Sequence, residues 1–325
     1  MPMTDDDLEL PKSLQPQPAA YAYDLDRALS SVLGLSARIP DEAFTAPLLG
    51  TERTGAGVLV REDGVVLTIG YLVTEAAEVT LRTGDGREVA GHVLGFDYAT
   101  GFGLVQALEP LDSPALTIRT GPGAEAGDSV VMAAGGGRGR ALRARVEARQ
   151  PFAGYWEYLL DEALFTSPAH PVWSGAAVIG AAGDLVGVGS LLMEGAGEDG
   201  KTRPLNMSVP AELVLPIFED LLTGRRGASP QPWLGLLLQE DEQGVLTAGV
   251  VPGGPASRAE IRPGDVILGV GGERARDLAG FYRRLWSLGA AGVDVPLTLQ
   301  RGTDVFELEV RSADRQALLW KPRFN

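Results

Sequence analysis

The sequence predicts a mainly β protein in two parts: a long all-β body and, behind it, a smaller α+β module. Three observations predict it. From Gly34 to Pro210, short β-branched and apolar runs are broken every few residues by Gly, Asp and Pro, the density expected of a sandwich or barrel. Thr223–Pro232, with Gly224, Arg225, Arg226, Gly227, Ser229 and Pro230, then has the composition of an exposed linker. Beyond Trp233, strand-like runs flank one stretch of helical period. The 325 residues allow two domains, and 45% apolar with 22% charged residues is ordinary for a globular chain. No segment approaches the roughly 18 consecutive apolar residues of a membrane span, so membrane insertion is not expected.

Composition also removes whole classes of chemistry. A net charge of −15 repels phosphate backbones and anionic lipid, which argues against nucleic acid as a partner. With no cysteine, disulfides, zinc-thiolate sites and cysteine nucleophiles are absent. Histidine occurs only at His92 and His170, and no metal or cofactor is implied. Ala134–Arg140 is glycine-rich, but no Gly-Lys-Ser/Thr follows it, so a phosphate loop is not indicated. The acidic runs Asp5–Glu9 and Glu240–Glu242 lack calcium-loop spacing. The chain opens Thr4-Asp5-Asp6-Asp7 without a basic, then apolar, leader. A cytoplasmic address is therefore expected if Met1 is the true start, and a periplasmic one if the chain was processed.

Taken in order, residues 1–20 are polar and proline-bearing and are expected to be a disordered tail. Leu25, Ala28, Leu29, Val32 and Leu33 predict a short amphipathic helix from Tyr23 to about Leu33. Strands are expected at Gly57–Val60, Val65–Thr68, Val79–Arg82, Val93–Gly95, Leu104–Gln106, Val130–Ala133, Ala176–Ile179 and Leu185–Ser190. A helix over Pro210–Leu222 closes the body, which spans 21–222, and 223–231 is the linker. The module at 232–313 has strands at Leu234–Leu238, Gly249–Val251, Asp265–Val270, Val295–Gln300 and Val305–Val310, with a helix at Leu278–Leu288. Residues 314–325 are a C-terminal tail.

The module carries the more specific motif. Trp233-Leu234-Gly235-Leu236 opens a strand, Gly253-Gly254-Pro255-Ala256 and Arg262-Pro263-Gly264-Asp265-Val266-Ile267 follow, then Gly271-Gly272 and the helix. This resembles a PDZ domain of the bacterial protease-associated kind. The resemblance implies capture of a protein C-terminus, with Leu234, Gly235 and Leu236 as the carboxylate loop. The peptide groove would lie between Leu236–Leu238 and the helix around Phe281 and Leu285, favouring an apolar terminal side chain.

The body carries three blocks in order. Thr54–Val73 runs through a strand, the turn Asp63-Gly64, and Leu67-Thr68-Ile69-Gly70-Tyr71-Leu72-Val73. Val79–Leu81, Asp85-Gly86-Arg87 and Val93-Leu94-Gly95-Phe96-Asp97-Tyr98-Ala99-Thr100-Gly101 form the second. The third, His170-Pro171-Val172-Trp173-Ser174-Gly175, is followed by Gly183–Val188 and Leu205–Pro210. Together with the module they resemble serine proteases of the HtrA/DegP type over residues 54–312. The resemblance implies a trypsin-like double β-barrel (the chymotrypsin fold) followed by an α+β PDZ domain. It puts Ser174 at the nucleophile position, Tyr71 where the family has its histidine and Gly101 where it has its aspartate.

A serine hydroxyl needs a base to take its proton, and that base needs a partner to orient it. Tyr71, with an ordinary pKa of about 10, is protonated near neutral pH, and Gly101 has no side chain. Val172 stands where the resemblance places an oxyanion-loop glycine, and a β-branched residue resists the positive φ that glycine permits. The expectation is a pseudoprotease that binds protein C-termini or unfolded polypeptide as adaptor, regulator or holdase, as a monomer or homo-oligomer. Two alternatives stay open. One is an active serine endopeptidase using Ser174 with His170, Lys201 or a partner-supplied base; the other is a structural subunit whose groove is filled internally.

Overall fold

The computed structural model describes residues 9–121, 123–196, 201–225, 230–241 and 244–320. The chain divides into two compact units. One comprises Met1–Gln150, Glu162–Arg225 and Trp320–Asn325; the other comprises Pro151–Asp161 and Arg226–Leu319.

The first unit holds two closed six-stranded barrels, so the mainly β architecture expected from the sequence is the one adopted. The first is built from β1 (Val32–Arg38), β2 (Glu52–Leu59), β3 (Val65–Ile69), β4 (Glu78–Arg82), β5 (Glu88–Phe96) and β6 (Phe102–Ala107), in the order β1-β2-β3-β6-β5-β4. Closure leaves no free edge. Its interior is filled by Leu33, Leu35, Val58, Leu67, Leu81 and Leu104, all buried. The second uses β7 (Ser129–Ala133), β8 (Ala141–Gly154), β9 (Tyr158–Ser167), β10 (Ala177–Ile179), β11 (Leu185–Ala196) and β12 (Thr202–Pro210), in the order β10-β11-β12-β9-β8-β7. Along β8, Leu142, Ala144 and Val146 are buried while Arg143, Arg145 and Glu147 are exposed, the period-2 alternation of a half-buried strand.

Three expectations change. The N-terminal helix is only Leu25–Ser30, started by the Asp24 carboxylate accepting from the Arg27 N–H, and Val32 and Leu33 belong to β1. These two buried residues fit a strand as well as a helical period, and pairing with β2 decides for the strand. The stretch after Pro210 is a 3₁₀ segment, Ala211–Ile217, followed by one α-turn, Phe218–Leu222. Pro216 lies inside it and has no N–H for an α-helical bond. Residues 9–20 are not a free tail: Leu10 is buried with its N–H on the Gly139 carbonyl (2.8 Å), and Leu14 accepts from the Arg143 N–H (2.9 Å). Residues 1–8, 197–200 and 321–325, and the part of the expected linker at 226–229, lie outside the described residues.

The second unit is a six-stranded sheet in the order β13 (Leu236–Asp241), β14 (Gly244–Val250), β15 (Val266–Val270), β17 (Asp294–Arg301) and β18 (Asp304–Arg311), with β16 (Glu273–Arg274) paired to β15. The helix Leu278–Ser287 packs Leu278, Phe281, Tyr282 and Leu285 onto this sheet. Asp277 caps it, its carboxylate accepting from the Gly280 N–H at 2.6 Å. Leu234, Leu236, Leu238, Val245, Ile267, Val295, Leu297 and Leu299 complete the core.

Candidate functional site

In the first unit the structure brings Tyr71, Ser174 and the Gly101 turn together. The register of β3 with β6 pairs Ile69 with Phe102, which sets the chain just beyond β3 against the turn just before β6. The Gly70 N–H donates to the Gly101 carbonyl at 2.7 Å, and Gly70–Val73 forms a single helical turn carrying Tyr71. Gly101 itself has φ of 84°. The turn's carboxylate, Asp97, is engaged by the turn itself, accepting from the Thr100 N–H (2.7 Å) and hydroxyl (2.8 Å).

Ser174 reaches the same place from the second barrel. Its carbonyl accepts from the Ala56 N–H of β2 at 2.8 Å, and the next N–H, of Gly175, donates to Gly189 at 2.8 Å. Gly175 has φ of 74°, and a Cβ there would lie 1.9 Å from the Ala56 oxygen, so only glycine fits.

The Tyr71 hydroxyl donates to the Ser190 carbonyl at 2.7 Å and lies 2.7 Å from Ser174 Oγ. The pairing of β11 with β12 shifts register between Gly189 and Leu191, a bulge that leaves the Ser190 carbonyl aimed at the tyrosine. A phenol has one hydrogen. With that hydrogen on Ser190, Tyr71 Oη accepts from Ser174, whose proton therefore rests on an oxygen with negligible basicity. Desolvation pushes the phenol up to about 12, against the opposing hydrogen bonds of Ser174 and Trp173, so no phenolate forms near neutral pH.

His170 is buried and does not reach the serine. Its Nε2 lies 3.1 Å from the Arg140 carbonyl, and its Nδ1 accepts from the Val172 N–H at 3.0 Å. These partners define a neutral tautomer with the proton on Nε2, and burial lowers the ring pKa further. The Val172 N–H, which the sequence resemblance assigns to an oxyanion loop, is thereby taken. Asn206, which sequence reasoning does not single out, holds His170 in place: its side chain accepts from the His170 N–H (2.6 Å) and donates to the His170 carbonyl (3.1 Å). His92 is exposed on β5. A cleft of about 460 Å³ lined by Gly34, Thr54, Arg82, Arg140 and Val172 adjoins this region.

In the second unit, the residues expected to form the carboxylate loop do converge. Gly235 has φ of 78°, and the free backbone of glycine lets the N–H groups of Leu234, Gly235 and Leu236 point to one spot. That spot holds the Glu157 carboxylate. The distances are 3.0 Å from Leu234 to Oε2, and 2.7 Å from Gly235 and 2.8 Å from Leu236 to Oε1. The expected groove residues Leu236, Leu238, Phe281 and Leu285 are fully buried, with Ala153 and Leu159 of the 151–161 hairpin packed on the same core. Leu238 donates its N–H to the Tyr155 carbonyl at 2.8 Å. Nothing in the sequence marks Glu157, where it is one more acid in an acidic chain.

The comparisons with known proteins agree with this geometry. Residues 55–188 match the trypsin-like peptidase domain family, and residues 232–311 match the PDZ domain family. A DegP-like periplasmic serine endoprotease of Hahella chejuensis is 26% identical over 68% of this chain and 49% of its own length. The serine protease HhoB of Synechocystis is 26% identical over 90% of this chain and 76% of its own. The chain spans about half the length of the first of these relatives. Among solved structures, the HtrA-type protease AlgW bound to a decapeptide superposes with a TM-score of 0.54 at 20% identity, covering 92% of this chain and 98% of that one. The serine endoprotease from Yersinia pestis superposes at 0.52 and 21% identity, covering 89% and 95%. At these identities the superpositions speak to the fold. Fold and matched domains together define a trypsin-like serine protease homologue with a PDZ domain behind it. More particularly, the relatives and solved structures it resembles are HtrA/DegP-type proteases. Among the described residues, no helix is long and apolar enough to cross a membrane.

Proposed function

We propose that this chain is a catalytically inactive HtrA/DegP-type homologue, a pseudoprotease that acts by binding protein C-termini or unfolded polypeptide. The observation that carries the reading is the hydrogen-bond partner of Ser174, from which the place of its proton follows. Ser174 gives its hydrogen to Tyr71 Oη, and Tyr71 gives its own to the Ser190 carbonyl. Neither acceptor is a base at neutral pH, so the Ser174 hydroxyl has nowhere to send its proton when it attacks a peptide carbonyl. The Val172 N–H on His170 Nδ1 removes a donor that would otherwise stabilise a tetrahedral oxyanion, a loss of about 10²–10³ in rate on its own.

Ser174-Gly175 then has a structural use. The pair makes the turn that joins the second barrel to β2, which gives selection on fold a reason to retain it. Peptide binding is supported by the converging N–H groups of Leu234, Gly235 and Leu236, which already hold a carboxylate. As for location, the names of the relatives favour the periplasmic alternative over the cytoplasmic one.

A fluorophosphonate probe at neutral pH, read by intact mass, tests the reading alongside casein digestion with Ser174→Ala as control. The expected result is no adduct and no difference in cleavage between wild type and the variant. Stoichiometric labelling of Ser174, or cleavage lost in Ser174→Ala, would instead establish an active serine endopeptidase with an unconventional base.

A further inference from the structure

The 151–161 hairpin sits in the second unit as a bound peptide would. Glu157 puts a carboxylate on three successive N–H groups, Tyr155 supplies a rung of strand addition to Leu238, and Ala153 and Leu159 lie on the apolar core. Two further contacts pin the tip. The Tyr282 hydroxyl donates to the Gly154 carbonyl at 2.7 Å and accepts from the Glu157 N–H at 3.3 Å. Arg315 Nη1 donates to the Trp156 carbonyl at 3.3 Å and places a positive charge near the carboxylate. Glu157 has φ of 58°, a left-handed conformation that is unfavourable for a non-glycine residue and persists only where surrounding contacts hold it. A buried carboxylate without such partners would be strongly unfavourable, and here it has a complete set.

We propose that Glu157 is a resident ligand of the PDZ module: its side-chain carboxylate stands in for a peptide's terminal carboxylate, and a protein C-terminus enters only by displacing the 151–161 hairpin. This rests on the peptide-binding reading above and adds a gate to it. The incoming partner is a chain end with a free carboxylate and an apolar last side chain, because the seat offers three N–H donors beside a core of Leu236, Leu238, Phe281 and Leu285. Side-chain and terminal carboxylates present the same two oxygens, so the two compete for one set of donors.

The test uses the full chain as wild type, Glu157→Gln and Glu157→Ala, titrated by fluorescence anisotropy with labelled decapeptides that end in a free-carboxylate valine, leucine or phenylalanine. The same peptides with amidated C-termini serve as controls. Hydrogen exchange at the Leu234–Leu236 amides is followed in parallel. Expected is at least ten-fold tighter binding in Glu157→Ala than in wild type, no gain in Glu157→Gln, whose neutral amide oxygen still accepts from the three N–H groups, and no gain for amidated peptides. The three amides should exchange faster in Glu157→Ala and regain protection with peptide. Equal affinity in all three chains overturns the gate and leaves peptide binding standing. No binding in any chain, with unchanged melting curves, overturns peptide binding and the displacement with it. Unchanged exchange at Leu234–Leu236 in Glu157→Ala overturns the residency of Glu157.

Discussion

The readings proposed above put the two candidate sites of this molecule out of action for opposite reasons. Around Ser174 the serine and its turn are in place, while Tyr71 and Gly101 stand where the resemblance puts the base and its orienting carboxylate, and the Val172 N–H is taken by His170. Around Gly235 the binding groups are all in place and the seat is taken by the chain itself. The first is a loss of composition, which no motion can repair. The second is a matter of occupancy, which a competitor or a single substitution can reverse.

The sharpest way to break this comparison is to rebuild the first site. Tyr71→His with Gly101→Asp supplies a base and its orienting carboxylate, but leaves the Val172 N–H on His170. Fluorophosphonate labelling of Ser174 in that double variant is expected to run about 10²–10³-fold slower than in a triple variant with Val172→Gly added. Equal rates would show that the Val172 donor is not a block. Next in size is the turn itself. Gly175→Ala forces a Cβ to 1.9 Å from the Ala56 oxygen at positive φ and is expected to destabilise the chain by about 3 kcal/mol or more in chemical denaturation. Ser174→Ala, which loses one hydrogen bond, should cost about 1 kcal/mol. If the two cost the same, the turn does not explain why the serine is kept.

The second site should respond to pH. Burial pushes Glu157 up to about 7 in the docked hairpin, against the pull of the Leu236, Leu234 and Gly235 N–H groups and Arg315, while a solvent-exposed glutamate titrates near 4.3. The docked state therefore holds the proton better than the undocked one. Docking is strongest at low pH, weakens as pH rises through the window between these values, and is level above it. Tyr282, the other titratable group at the tip, is raised by burial and stays neutral throughout. Peptide affinity of the wild type is expected to rise about ten-fold from pH 5.5 to 8, and that of Glu157→Gln to stay flat over the same range. The smallest effect is expected from Tyr282→Phe, which removes the hydroxyl from Gly154 and Glu157 and should improve wild-type peptide affinity by about three- to five-fold, the equivalent of one modest hydrogen bond.

What is legible in the sequence is whatever is local. The β3 strand, its Asp63-Gly64 turn and the Tyr71 segment follow one another within twenty residues, and the module's glycines mark its turns. β8 escapes a sequence reading although it alternates cleanly, because Arg143, Arg145, Glu147 and Arg149 make the stretch look like charged surface. The helix after Pro210 is too long when drawn from apolar spacing, which says nothing about the missing N–H of Pro216. Asn206, Ser190 and Glu157 are illegible for a common reason. Their partners lie 36, 119 and 77 to 79 residues away, and nothing near them in the chain marks the pairing.

Because the occupant of the seat is covalently part of the molecule, its local concentration is set by the backbone and not by dilution, and for a short tether it is of order millimolar. For a resident segment of micromolar intrinsic affinity, a free chain end would then face roughly a thousand-fold handicap. Only abundant, multivalent or unusually tight ends would register. A cut in the backbone between residues 151 and 161 would leave the occupant tethered from one side only and lower that handicap, turning a nick by some other protease into a signal that eases access to the binding site.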